Sequence, residues 1–136
     1  MSRSALGAMV AVMLLGLLAA LGCEHDLGTP QGVAGEFLDQ HYVHISLEQS
    51  KDYTIGLARK KVDEEIRLTA GEKIDATTRK PKVYYDLIEQ RENRGRLSFL
   101  YQLTIQPQDA DPIKRRVMIR VRRHEDGWRV SNFLEY

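Results

Sequence analysis

LSFLYQLTI, at residues 97–105, decides the fold of this chain. Apolar side chains recur at every odd position, and the even positions are polar except for Leu100. Successive side chains of an extended chain point to opposite faces, so this alternation predicts a β-strand with one buried face and one solvent-exposed face. Tyr101 belongs to the face that we expect to be buried.

Three further strands are predicted around this one. Turn-forming residues at 93–95, 107–112 and 126–127 separate the segments and suit antiparallel neighbours. The second half of the chain is therefore predicted to be a meander of at least four strands. The further segments are Val83–Gln90, a segment with Val117, Ile119 and Val121 on one face, and a segment that alternates from Trp128 to Leu134.

Helices are predicted before the strands, from apolar residues spaced three or four apart. Ser46 followed by Gln49 has the spacing of a capping box, and Gly56 is expected to end or bend the helix that follows. Helices that precede strands, rather than alternate with them, predict an α+β domain in which the helices cover one sheet face. The predicted helices run from Val33 to Ile45, from Leu47 onward, and from Ile55 to Ile66 with Gly71 closing the last one.

The N-terminus has the pattern of a secretory signal. Residues 5–22 carry no charge and follow a single basic residue, Arg3, while the polar residue Glu24 comes soon after them. The single cysteine of the chain, Cys23, lies at this junction.

The Gly22-Cys23 junction resembles the lipobox of bacterial lipoproteins. The resemblance implies that Cys23 carries a diacylglycerol thioether that anchors the protein in the cell envelope, facing the periplasm or the outside, with Glu24 favouring the outer membrane. It divides the chain into a signal peptide at 1–22, the lipidated cysteine with a flexible tether at 23–32, and a domain at 33–136. Two alternatives are an inert thiol beside a cleaved signal and an uncleaved anchor helix at 5–22.

The ending DGWRVSNF, at residues 126–133, together with the order of elements and the domain length, is similar to the nuclear transport factor 2-like superfamily. The resemblance implies a cystatin-like α+β cone and a surface on which two copies form a homodimer. Members of that superfamily bind small molecules or partner proteins, and some are isomerase- or dehydratase-like enzymes with an Asp, His or Tyr in an apolar pocket. Fold resemblance does not choose among these functions.

Composition excludes several classes of function. The 136 residues include 20 Lys plus Arg and 19 Asp plus Glu, and this balance argues against a nucleic-acid binder. One cysteine cannot form an internal disulfide framework or a multi-thiolate metal site. There is no nucleophile elbow, phosphate-binding glycine loop or dinucleotide fingerprint, so no cofactor is expected.

Tyr101, Tyr42 and Asp86 are the candidates for a pocket. Tyr101 shares its strand face with Phe99, and its simpler interpretation is a core tyrosine whose hydroxyl finds a partner. Asp86 could act as a general base only if burial raised its pKa.

His41 and His44 could share one helical face because they lie three residues apart. Tyr84 and Tyr85 are further polar aromatic residues on the first strand. The two histidines lack a third ligand in the sequence, so no metal site is predicted.

Charge is divided between the two halves of the chain. Residues 23–78 carry 6 basic and 11 acidic side chains, whereas residues 79–136 carry 13 and 8. One interpretation of the basic residues on the third strand is contact with an anionic membrane, an acidic polysaccharide or an acidic protein patch. The other is a solvated sheet face that pairs with Asp86, Glu89 and Glu135. The strand residues of one parity are Lys114, Arg116, Arg120 and Arg122.

Two functions follow as hypotheses. The first is a lipid-anchored, non-catalytic module that binds an envelope protein or a small ligand. The second is a small-pocket enzyme of the isomerase or dehydratase kind.

Overall fold

The computed structural model describes residues 24–72, 78–125 and 127–136, and these form an α+β domain. Three α-helices and one π-helical turn precede four strands, which confirms the predicted fold class and order of elements. The elements are α1 (Pro30–Leu38), the π-helical turn (Asp39–Val43), α2 (Leu47–Lys51), α3 (Gly56–Leu68), β1 (Lys82–Asn93), β2 (Arg96–Gln106), β3 (Ile113–His124) and β4 (Gly127–Glu135).

The four strands form an antiparallel sheet in the order β1-β2-β3-β4, which confirms the predicted meander. Two residues, Arg94 and Gly95, connect β1 to β2, and both have positive φ angles. Two consecutive residues with positive φ are typical of the two-residue turn whose twist matches the twist of the two strands in a β-hairpin. Tyr101 on β2 lies opposite Val117 on β3, so the buried face of LSFLYQLTI continues onto the neighbouring strand.

The core lies between the inner face of the sheet and the helices. Phe99 and Leu103 of β2 are almost fully buried, as the alternation predicted, while Leu100 lies half-buried on the other face. Helix α1 supplies the largest share of the cover. The buried helical residues of the cluster are Val33, Ala34, Phe37 and Leu38 from α1 and Ala58 and Val62 from α3.

Helix α1 begins earlier than predicted, at Pro30 rather than Val33. The Thr29 hydroxyl accepts a hydrogen bond from the Gly32 amide at 3.0 Å, and proline at the first helical position has no amide that needs an acceptor. Residues 30–32 are therefore part of the helix, and the predicted flexible tether at 23–32 is wrong for them.

The first helix does not continue to Ile45 as predicted. It changes at Asp39 into a π-helical turn, in which the His44 amide donates to the Asp39 carbonyl at 2.8 Å. The extra residue in this turn shifts every later side chain around the helix axis. Ile45 then adopts a positive φ of 55° and ends the segment.

The other helix boundaries confirm some predictions and correct others. Helix α2 begins after Ser46 as predicted, but the Ser46 side chain makes no capping hydrogen bond. Gly56 does not end α2, which stops at Lys51; instead it opens α3 with a φ of 56°. Gly71 lies beyond the end of α3 with a φ of 94°, a backbone conformation that favours glycine.

The predicted signal peptide at 1–22, the uncleaved helix considered there and Cys23 all lie outside the described residues. Within the described ranges, no helix has the length and apolar character needed to cross a membrane.

Adjacent positions on β2 provide a test of the two faces. We expect Phe99→Ala to lower the free energy of unfolding by about 3–5 kcal/mol, because it leaves a cavity in the core. Leu100→Ala, one residue away on the outer face, is expected to cost about 1 kcal/mol or less. Urea denaturation of both variants measures the difference, and equal losses would contradict the assignment of faces.

Candidate functional site

Residues 24–29 form a segment, here called the N-terminal strap, that lies against helix α1. The contact requires glycine at two helical positions. A Cβ on Gly32 would stand 1.7 Å from the Asp26 carbonyl oxygen, and one on Gly35 would stand 2.5 Å from Cε1 of His25. Glycines three residues apart therefore create the groove that accepts the strap.

His25 attaches the strap to the helix and the sheet. Its Nε2 lies 2.7 Å from Oδ2 of Asp39 and 3.0 Å from the hydroxyl of Tyr85. The Tyr85 hydroxyl donates to Oδ1 of the same carboxylate at 2.7 Å. Because Nε2 faces a carboxylate, it carries the proton, and the three side chains form a closed hydrogen-bonded triad.

A pocket of about 450 Å³ lies beside this triad, between the strap, the start of α1 and the sheet. Tyr85 and Tyr101 form its aromatic wall, with ring centroids 5.8 Å apart and planes 85° apart. The residues that line it are Glu24, His25, Asp26, Thr29, Gln31, Gly32, Gly35, Tyr85, Asp86, Leu87 and Tyr101. This volume is in the range of small-molecule sites.

Tyr101 is the unusual member of the wall. The residue is 3% exposed, and its hydroxyl has no hydrogen-bond partner among the described residues. Among the described residues, the buried side-chain polar atom that lacks a partner is Nδ1 of His41, so the Tyr101 hydroxyl itself reaches the open space of the pocket. Burial also raises the pKa of Tyr101 to about 12, so the hydroxyl is neutral at pH 7 and can donate and accept.

Burial, and then the hydrogen bond to Asp39, raise the pKa of Tyr85 as well. The lining contains the carboxylates of Glu24, Asp26 and Asp86, and among the described residues no lysine or arginine joins them. His25 is the single basic group in the lining, and its Nε2 is already hydrogen-bonded to Asp39. The pocket therefore has an acidic mouth and an aromatic wall.

His25, Glu36 and Asp39 offer the one set of three metal-ligand atoms within 4.8 Å of one another in the described residues. However, Nε2 of His25 and Oδ2 of Asp39 are joined directly at 2.7 Å. A bound zinc ion would hold each of these atoms about 2.0–2.2 Å from itself, with no proton between them. The hydrogen-bonded triad satisfies the imidazole without an ion.

The structure brings together only part of the predicted pocket. Tyr101 lines it as expected, although its hydroxyl lacks the partner that a core tyrosine would have. Asp86 lies at the same pocket but is exposed, so the buried general base considered for it is wrong. Tyr42 is not in this lining; its hydroxyl donates to Glu135 on β4, and burial followed by that bond raises its pKa.

The predicted histidine pair does not form a common site. His41 is buried and stacks on Phe37, with Nε2 2.8 Å from Glu65 on α3. His44 is exposed, and its carbonyl accepts a hydrogen bond from Lys80. The π-helical turn separates the environments of the two rings.

The basic residues of β3 are exposed on the outer face of the sheet, as the alternation predicted. The carboxylates proposed to pair with these basic residues do not do so. Glu89 forms an ion pair with Arg91, and Glu135 accepts a hydrogen bond from Tyr42. Lys114, Arg116, Arg120 and Arg122 form no ion pair with any carboxylate of the described residues.

Sequence reasoning missed His25 and Asp39, which it left without a role in the predicted tether at 23–32 and in the first predicted helix. Two signals could have found them. Thr29-Pro30 is a strong helix-start signal that moves the domain boundary toward His25. Gly32 and Gly35, on one side of a helix, indicate a close backbone approach.

Comparisons of this chain with protein-family models, with curated proteins and with solved structures find no match. The function of the site has to follow from its own residues.

The strap contact makes a specific prediction about Gly35. We expect Gly35→Ala to lower the free energy of unfolding, because the new Cβ displaces the His25 ring. In a His25→Ala background the same substitution should raise it by about 0.5–1 kcal/mol, because alanine is the better helix former once the ring is gone. Denaturant unfolding of the double-mutant cycle measures this change of sign.

Gly32→Ala is the matched control for this cycle. Its Cβ would meet the backbone of Asp26, so removing the His25 ring should not rescue it. The strap geometry is refuted if His25→Ala rescues both glycine substitutions equally, or neither of them.

Proposed function

We propose that the protein is a lipid-anchored module of the bacterial envelope, with a nuclear transport factor 2-like domain that binds a small amine in the pocket beneath its N-terminal strap. The observation that carries this proposal is Tyr101, a buried residue that lines an acidic pocket and whose hydroxyl makes no hydrogen bond to the described residues. The lipid anchor rests on the lipobox resemblance at Cys23, and the family on the order of elements and the ending of the chain.

Charge selects the class of ligand. Three carboxylates, from Glu24, Asp26 and Asp86, lie in the lining without a lysine or arginine among the described residues to neutralise them. A cation in the pocket gains from these charges, whereas an anion is repelled. An ammonium group can also bind over the face of a tyrosine ring.

Hydrogen bonding supports the same class. An ammonium group has three donors and no acceptor, so it complements the lone pairs of the Tyr101 hydroxyl and the carboxylates. Because the Tyr85 hydroxyl already donates to Asp39, its remaining capacity is as an acceptor. The pocket therefore offers mainly acceptors to a ligand.

The anchor would place the pocket close to the lipid surface. His25 follows Cys23 by two residues, and an extended chain spans at most about 3.6 Å per residue. A lipid on Cys23 would therefore be joined to His25 by at most about 7 Å of chain. A ligand in this pocket would be held next to the membrane rather than at the end of a long tether.

The pair of His25 and Asp39 favours a second function, an acid–base enzyme of the same superfamily. A carboxylate that fixes the tautomer of an imidazole is the arrangement of a general base. The nitrogen left to act as the base would be Nδ1 of His25. This atom lies 2.7 Å from the position that a Cβ on Gly35 would occupy. The ring therefore lies against helix α1, and this geometry favours binding over catalysis.

Two molecules of equal carbon length test the binding function. We expect 1,4-diaminobutane to bind the full chain with a Kd at least about tenfold lower than that of succinate, because the acidic lining attracts one and repels the other. Tyr101→Phe should weaken diamine binding by about tenfold or more, since one hydrogen bond to a charged group is lost. Isothermal titration calorimetry measures both effects.

Tyr84→Phe is the matched control for that substitution. Tyr84 is exposed on the neighbouring strand β1 and does not line the pocket, so removal of its hydroxyl should leave the Kd unchanged. Equal affinity for the two molecules, or equal effects of the two tyrosine substitutions, would rule out the amine site. Turnover of an amine that is lost in His25→Gln while binding is retained would establish the enzyme instead.

Membrane attachment is tested separately at Cys23. Cys23→Ala should move the protein from the membrane fraction to the soluble fraction of the cell, because each acyl CH₂ in the bilayer contributes about 0.8 kcal/mol. Fractionation and intact mass measure the attachment and the modification. A Cys23→Ala protein that keeps residues 1–22 and stays in the membrane would support the uncleaved helix.

A further inference from the structure

A second pocket, of about 290 Å³, lies where the start of α3 meets β2, β3 and β4. It is separate from the His25 pocket and shares no lining residue with it. Three of its lining residues are arginines. The lining consists of Gly56, Leu57, Arg96, Arg120, Val121, Arg122, Ser131 and Asn132.

The three arginines are not neutralised within the described part of the chain. Arg96, Arg120 and Arg122 make no ion pair there, and no carboxylate lines the pocket. Guanidinium groups that line one concavity give it a positive potential, and an anion among them reduces their mutual repulsion. The planar forks of arginine match the oxygen atoms of phosphate and carboxylate groups.

Helix α3 adds to the positive potential of this pocket. Its first turn contains no acidic residue, and no side chain caps it at Ile55. Gly56 opens the helix with a positive φ, and Arg122 Nη2 stands 3.8 Å from the position of a Cβ on Gly56. The arginine therefore lies over the end of the helix where amide donors are unpaired.

We propose that Arg96, Arg120 and Arg122 form a binding site for a phosphate group at the start of α3. Three guanidinium groups around one concavity favour an anion with more than one charge and several oxygen atoms. Ser131 and Asn132 line the same pocket and add polar groups on the β4 side. The sequence predicted a basic face along β3. The proposed site uses only the end of that face that carries Arg120 and Arg122, together with Arg96 of β2.

Calorimetry of the full chain in a neutral detergent tests the site, with inorganic phosphate as the probe at fixed ionic strength in sodium chloride. Arg122→Gln should raise the Kd for phosphate by about tenfold or more, a change of about 1.4 kcal/mol. Lys114→Gln removes the same charge from the same strand face outside the pocket and should change the Kd by less than about twofold. Equal effects of the two substitutions would overturn the proposal, and so would the absence of binding to the unmodified chain.

Leu57→Glu gives an independent test that leaves the arginines in place. Leu57 lines the pocket and is 51% exposed, so a carboxylate there can reach the arginines. It should reduce phosphate affinity as Arg122→Gln does, without lowering the Tm, because an acidic residue in the first turn of a helix is favourable. Unchanged phosphate affinity in Leu57→Glu would contradict the site.

Two short-chain lipids identify the source of the phosphate group. If dihexanoyl phosphatidic acid binds about tenfold more tightly than inorganic phosphate and dihexanoyl phosphatidylcholine does not bind, the site takes a lipid headgroup. If phosphatidic acid and inorganic phosphate bind with equal affinity, the site takes a soluble phosphate ester. Both results support the proposed phosphate site. Tyr101→Phe should leave phosphate affinity unchanged, so this proposal and the amine pocket can fail independently.

Discussion

Burial of the inner face of the sheet against helix α1 is the contact on which the rest of the structure depends. Phe99 and Leu103 of β2 belong to one buried cluster with Phe37 and Leu38 of α1, and all four side chains are almost fully excluded from water. The nine residues of α1 extend about 14 Å, whereas the eleven residues of β2 extend about 37 Å. One short helix cannot cover such a strand, so other segments have to complete the cover.

The N-terminal strap completes part of that cover and forms a wall of the pocket in the same step. Gly32 and Gly35 allow it to approach the helix, and the triad of His25, Asp39 and Tyr85 joins it to the sheet. Tyr101 lies at this boundary, because it belongs to the buried cluster and also lines the pocket.

The two proposed sites follow the division of charge along the chain. The acidic pocket takes Glu24 and Asp26 from the half of the chain that carries 11 acidic and 6 basic side chains. The arginine pocket takes its three cations from the half with 13 basic and 8 acidic side chains. The small net charge of the chain, +1, therefore conceals two local regions of opposite sign, which suit ligands of opposite charge.

The sequence by itself determined the α+β class, the four strands with their faces, and the position of most helices. These depend on local periodicity, because a period of two or of 3.6 residues assigns each side chain to a face before the chain folds. Only the tertiary structure decided which polar residues meet. His25, Asp39 and Tyr85 are separated by up to 60 residues, and the π-helical turn that orients Asp39 has no signal in the periodicity. The same holds for Arg96, Arg120 and Arg122, which share a pocket only because the register of β2 and β3 and the start of α3 bring them to one place.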